Sequence, residues 1–169
     1  IDLNVLGSCR LHGVKKIFFA SSGCVYNCEY LRYYAEGDAY PANPANEFGW
    51  QKLFAERLYT AYAREFGLRV SIGRMFNCYG LGMPFDGGRE KVIGAICRKV
   101  AKVPDGGTVE VWGDGEQSRS FLYVDDAVEG ILQLILYRQG FANGNCPGCV
   151  KGGMGYFNRV RTFYPARFN

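Results

Sequence analysis

Short apolar runs and longer stretches of helical period alternate along this chain, and that alternation leaves few folds open to it. Ile17-Phe18-Phe19-Ala20 is a continuous apolar run behind two lysines, the pattern of a strand buried on both faces. Phe48 opens a long stretch in which Leu53, Phe54, Leu58, Ala61, Tyr62 and Phe66 keep helical spacing until Gly67 stops it. Leu68 to Gly73 then alternates as a strand should. Upstream, Leu3, Val5, Leu6, Cys9 and Leu11 fit a helix over 2–12 closed by Gly13. Downstream, the pattern predicts a Gly-rich loop over 80–88 and a helix near 90–101. Strands at 109–112 and 121–124 should flank a Gly-Asp-Gly turn, with a helix near 125–137 after them. Parallel strands need long crossovers, so strands alternating with helices predict an α/β fold with a mainly parallel sheet.

The 169 residues suffice for one domain with a core, and 48% hydrophobic with 21% charged content is ordinary for a soluble globular protein. No run approaches the roughly 18 apolar residues of a membrane span, and no membrane partner is expected. The opening IDLNVLGSCRLHGVKK lacks the order of a signal peptide, and the chain is expected to begin within a longer protein. Its net charge of +4 comes from 20 basic and 16 acidic residues. Lys151, Arg159, Arg161 and Arg167 account for the excess, since without them the balance is 16 to 16. A basic tail on a neutral body reads as a solvated extension, and no nucleic-acid partner is expected. From Gly140 the apolar periodicity stops, and residues 140–169 read as an irregular Gly- and Arg-containing tail, either a linker or a stretch foreign to the fold. Seven cysteines match no disulfide framework and favour reduced thiols in the cytoplasm. Cys146 and Cys149 have CxxC spacing, yet no second pair or nearby His completes a zinc site, so no metal is expected.

Ser21-Ser22-Gly23-Cys24-Val25-Tyr26 follows the first buried strand, at the sheet edge where open α/β folds bind ligands. A helix then opens with Phe48-x-x-x-Lys52. Strand, Ser-rich loop and aromatic-xxx-Lys helix together resemble the active site of extended short-chain dehydrogenase/reductases. Further segments narrow the resemblance: Asp38-Ala39-Tyr40-Pro41-Ala42-Asn43-Pro44, Gly73 through Gly80, Gly87-Gly88-Arg89-Glu90-Lys91, and Trp112 through Phe121. In this order and spacing they are similar to the GDP-mannose 3,5-epimerases over residues 1–136.

The resemblance implies a Rossmann-like sheet of which this chain holds the second half and part of the substrate-binding region. Residues 1–139 would form a partial epimerase/dehydratase domain. The glycine fingerprint that family members carry for the dinucleotide is absent from these 169 residues. The implied cofactor is NAD, the implied substrate a GDP-sugar, and the implied full-length assembly a homodimer. The implied reaction oxidises C4 of the sugar, epimerises C5 and C3, and returns the hydride. By resemblance Cys24 is the base and Lys91 the acid, Ser22 positions the reacting oxygen, and Lys52 lowers a phenol's pKa and holds the nicotinamide ribose. That phenol is missing. Position 48, which the family fills with Tyr, is Phe here, and a phenyl ring can neither give nor take a proton. Phe48 and Lys52 are the cofactor-side positions. Ser22, Gly23, Cys24, Asn77, Glu90, Lys91, Lys99, Gln117, Ser118 and Arg119 form the implied substrate clamp. Lys99 follows Lys91 by eight residues, so the two can share a helix face. Two rival readings stand beside this one: a non-catalytic remnant or interaction module, and another sugar-nucleotide epimerase or dehydratase of the extended family.

Overall fold

Asn46 accepts a hydrogen bond from the Gly49 amide at 2.9 Å and caps the longest helix, α2 (Glu47–Phe66), which ends on Gly67 in a left-handed conformation. Leu53, Ala55, Glu56 and Tyr59 form the buried stripe of α2. The computed structural model describes residues 1–27, 35–114, 119–136 and 158–162. Helix α2 is the crossover between β1 (Lys16–Ser22) and β2 (Arg69–Met75), which pair in parallel from Lys16↔Arg69 to Ser22↔Met75. Helix α1 (Asp2–Leu11) lies against α2, with Leu6 fully buried. Leu6, Phe19, Ala55, Tyr59, Leu68, Val70 and Ile72 make one core cluster between helices and sheet. The Phe19 and Tyr59 rings stack at 4.5 Å within it. A second cluster of Val25, Tyr26, Ala39 and Leu53 lies beyond the strand ends, with Phe76 packed against it.

After β2 the chain forms β3 (Asn77–Tyr79), α3 (Val92–Lys102), β4 (Phe121–Tyr123) and α4 (Val124–Leu136). Strands β3 and β4 pair in parallel as a small second sheet. Every strand pairing among the described residues is parallel, as the alternation of elements predicts.

Two expectations need correction. Residues 109–112 form no strand. Glu110 instead gives its carbonyl to the Lys99 ammonium at 2.7 Å, and Val111 and Trp112 are exposed, so this apolar-looking stretch has no sheet to join. The tail is not irregular throughout, because β5 (Asn158–Thr162) pairs in parallel with β2 over Val70↔Asn158 to Arg74↔Thr162. Asn-Arg-Val-Arg-Thr carries one strongly apolar residue, so the sequence offers little strand signal, and the open edge of β2 supplies the pairing instead. Cys146, Cys149 and the remainder of the tail lie outside the described residues.

Candidate active site

The Ser22↔Met75 register brings the C-terminal ends of β1 and β2 side by side. Ser22 ends β1 and caps a single turn, Gly23–Val25, by accepting the Cys24 amide at 3.2 Å. Cys24 is half-buried. Two close approaches fix the turn. The Phe76 ring lies 2.7 Å from where a Gly23 Cβ would stand, and a Cβ on Gly49 would overlap the Cys24 carbonyl oxygen. The first turn of α2 therefore sits directly on the Cys24 turn, which requires glycine at position 49.

Phe48 and Lys52 stand one turn apart on α2. The Lys52 ammonium donates to the Ala20 carbonyl at 2.8 Å and lies 5.0 Å from the Phe19 ring centroid and 5.7 Å from that of Phe48. Phe48 is half exposed. One carbonyl and two ring faces thus fix the Lys52 ammonium at the strand end.

A second group gathers where β3 and α3 meet. Asn77, Cys78, Tyr79, Met83, Lys91, Val92, Ile93 and Phe121 line a small cleft. The Asn77 amide donates to the Ser120 carbonyl at 3.0 Å, which ties β3 to the segment holding Arg119. Burial pushes the Cys78 thiol up, while the Lys91 ammonium pulls it the other way. Lys91 is the N-cap residue of α3 and exposed. Its cation stands at the positive end of the helix dipole, a placement that helix stability alone does not favour. Glu90 precedes it, clasped by Arg98 at 2.7 Å, and Arg98 also donates to the Phe85 carbonyl at 3.0 Å. Backbone amide hydrogen bonding, helped by Arg98 and opposed by burial, holds the Glu90 carboxyl below its ordinary value.

The structure thus assembles Ser22, Gly23, Cys24, Phe48 and Lys52 at one strand end, and Asn77 and Lys91 at the next, joined through the Gly23–Phe76 contact. Lys99 is not in the cleft; its ammonium lies 5.5 Å from the Trp112 ring centroid. Gln117 and Ser118 lie outside the described residues, and Arg119 is exposed just before β4.

The motifs do not single out a buried polar network beneath this site. Arg74 is 2% and Glu56 4% exposed. Arg74 meets Glu56 through two parallel hydrogen bonds, Nε to Oε1 at 2.9 Å and a terminal nitrogen to Oε2 at 2.7 Å. Its other terminal nitrogen donates to the Tyr26 hydroxyl at 3.0 Å and the Glu36 carbonyl at 2.7 Å. The Ser21 hydroxyl donates to Glu56 as well. Burial opposes the Arg74 charge, but the Glu56 hydrogen bonds and charge, with Tyr26, more than offset it and hold the guanidinium above its ordinary value. The sequence did carry a signal for this network. Arg74 continues the inward face of Val70 and Ile72, and Glu56 falls between Leu53 and Tyr59 on the buried stripe of α2. A charge on each of two buried faces needs a partner, and the packing of α2 on the sheet makes these two partners of each other.

Residues 1–145 match the family model described as the NAD dependent epimerase/dehydratase family. The chain belongs to that family. It is similar to GDP-mannose 3,5-epimerase 1 of Oryza sativa subsp. indica, 42% identical over 138 residues, which cover 79% of this chain and 36% of that protein. GDP-mannose 3,5-epimerase of Arabidopsis thaliana is 41% identical over 140 residues, with the same two shares. In three dimensions the chain is similar to a UDP-glucose 4-epimerase from Thermotoga maritima, with TM-score 0.66 and 30% identity over 78% of this chain and 41% of that one. It spans little more than a third of the length of these curated relatives. Among the described residues no helix is long and apolar enough to cross a membrane, and no group of His, Cys, Asp or Glu is arranged to hold a metal ion.

Proposed function

We propose that this chain carries the substrate-facing chemistry of a GDP-mannose 3,5-epimerase and that Phe48 blocks its turnover. The observation that carries the reading is the Ser22↔Met75 register, which sets the Cys24 turn beside the Asn77 and Lys91 cleft at one sheet edge. A ketone at C4 of the sugar acidifies the C–H bonds on either side of it. The Cys24 thiolate would remove such a proton from one face, and the Lys91 ammonium would deliver one to the other. Ser22 would orient the C4 oxygen, and Asn77, Glu90, Gln117, Ser118 and Arg119 would hold the nucleotide sugar.

NAD, when bound, supplies removal and return of hydride at C4. Lys52 fits the ribose end of that cofactor, since its ammonium is held at the strand end by one carbonyl and two rings. The proton of the C4 hydroxyl needs an acceptor at position 48. Phenyl offers none, so oxidation stalls before either inversion.

The purified 169-residue chain is therefore expected to convert no GDP-mannose in the presence of NAD. Joined to the dinucleotide-binding half of a curated relative, the Phe48→Tyr form should gain at least about a hundredfold in rate over the Phe48 form, the scale of one acid–base group. Cys24→Ser should abolish that gain. Equal rates for the Phe48 form and the Phe48→Tyr form would overturn the hydride-step argument, and turnover by the 169-residue chain would overturn the block. A non-catalytic module is the second reading, favoured by Phe48 itself. Binding of GDP-mannose by the joined protein, without turnover in either form, would support it.

A further inference from the structure

Phe48, Lys52 and Glu56 follow one another at four-residue steps on α2, so they share one line along the helix. The lowest of the three is anchored. Glu56 is gripped by two nitrogens of Arg74 and by the Ser21 hydroxyl, and the remaining nitrogen of Arg74 reaches Tyr26 and the Glu36 carbonyl. Ser21 immediately precedes Ser22, and Tyr26 follows Cys24 by two residues. The same guanidinium–carboxylate pair therefore pins the Ser22–Cys24 turn on both sides and the α2 line from below.

We infer that Glu56 and Arg74 are positioning residues that set the Cys24 turn and the Lys52 helix line against each other. Strands β1 and β2 are already held in register by their ladder, so what remains to be fixed is α2 against that pair, where the Lys52–Ala20 hydrogen bond and apolar packing act. Apolar packing resists separation of such surfaces but resists sliding and rotation poorly, because dispersion contacts are non-directional. A planar fork with fixed donor directions resists both. Neither residue lines the cleft of Asn77 and Lys91; the pair reaches the site through Ser21, Tyr26 and the turn of helix above Glu56, with Glu36 as a further anchor. The placement matters to catalysis only if Cys24 and Lys52 have the roles given them above, and to that extent the inference rests on that reading.

Arg74→Lys separates positioning from charge balance, because lysine keeps the cation beside Glu56 but lacks the fork. The measurement is the rate at which iodoacetamide labels each cysteine of the 169-residue chain, resolved by peptide mass spectrometry. Cys9 on α1 and Cys97 on α3 serve as internal references. In Arg74→Lys, Cys24 labelling is expected to change at least about threefold relative to wild type, a modest effect for a half-buried thiol whose surroundings shift. Cys9 and Cys97 should hold within about a factor of 1.5 on the same scale of thiol reactivity. Glu56→Gln/Arg74→Met removes both charges, leaves no lone buried ion, and should give the same pattern; it serves if the lysine variant fails to fold. A Cys24 rate within about 1.5-fold of wild type in a folded variant overturns the inference, as does a common change at all three cysteines, which marks general loosening. The joined Phe48→Tyr protein keeps the two claims apart. Turnover there with unmoved Cys24 labelling removes the positioning role alone, and moved labelling without turnover removes the catalytic reading alone.

Discussion

At the scale of single residues, the block proposed at position 48 turns on one atom. On the proposed reading Phe48 takes the place of a family Tyr; its ring lies 5.7 Å from the Lys52 ammonium and carries no hydroxyl. Tyr59 shows the opposite dependence on a hydroxyl. It is buried between α1 and the sheet, and its phenol lies 3.4 Å from the Asp2 carboxylate. Burial, reinforced by the Asp2 charge, pushes its pKa from 10.0 up to about 12. In the unfolded chain Tyr59 ionises near the lower value, whereas in the folded chain it stays neutral. Its contribution is therefore complete below pH 10 and is lost as pH rises towards 12, at a cost of about 2 kcal/mol. Urea unfolding followed from about pH 8 to 12 should show that decline, and Tyr59→Phe should flatten it. An equally steep decline in the phenylalanine variant would assign the loss to other groups.

At the scale of elements, helices and strands divide in how they announce themselves. Helix α2 was legible because the apolar stripe marks its body and Gly67 its end, and the two agree. Strands β1 and β2 were legible as well, the first as a continuous apolar run and the second as an alternating one. Strand β5 was not, because its five residues lack an apolar period and its partner β2 lies far upstream. The stretch 109–112 misled in the reverse sense, with two valines and a tryptophan that suggest a strand no neighbour receives. Pairing along β5 makes a definite prediction. Deleting residues 140–169 removes five residues of parallel ladder from β2 and should lower stability by about 2 kcal/mol, or roughly 5 °C in Tm for a chain of this size. Thermal unfolding of the shortened chain checks it, and an unchanged Tm would mean that β5 adds nothing to the sheet.

At the scale of the whole molecule, the described residues leave β1 with β2 on one side and no strand on the other. Apolar side chains such as Leu3, Leu11, Trp50 and Phe54 are exposed as well. An open strand edge and exposed apolar side chains are each sites for association. The 169-residue chain should therefore elute above monomer mass in size-exclusion chromatography, and increasingly so with concentration; a monomer at about 100 μM would refute the open-edge argument. The sequence by itself determined the α/β class, the order of its first strands and helices, and the family, because these rest on periodicity and on motif spacing along the chain. It also placed Ser22, Cys24, Lys52, Asn77 and Lys91 at strand and helix ends. Tertiary structure alone decided that Arg74 meets Glu56, that α2 rests on the Cys24 turn through Gly49, and that Lys99 turns to Trp112. The reason is physical. Periodicity tells which face of an element is buried, whereas which buried charge finds which partner depends on register and on how closely two backbones approach.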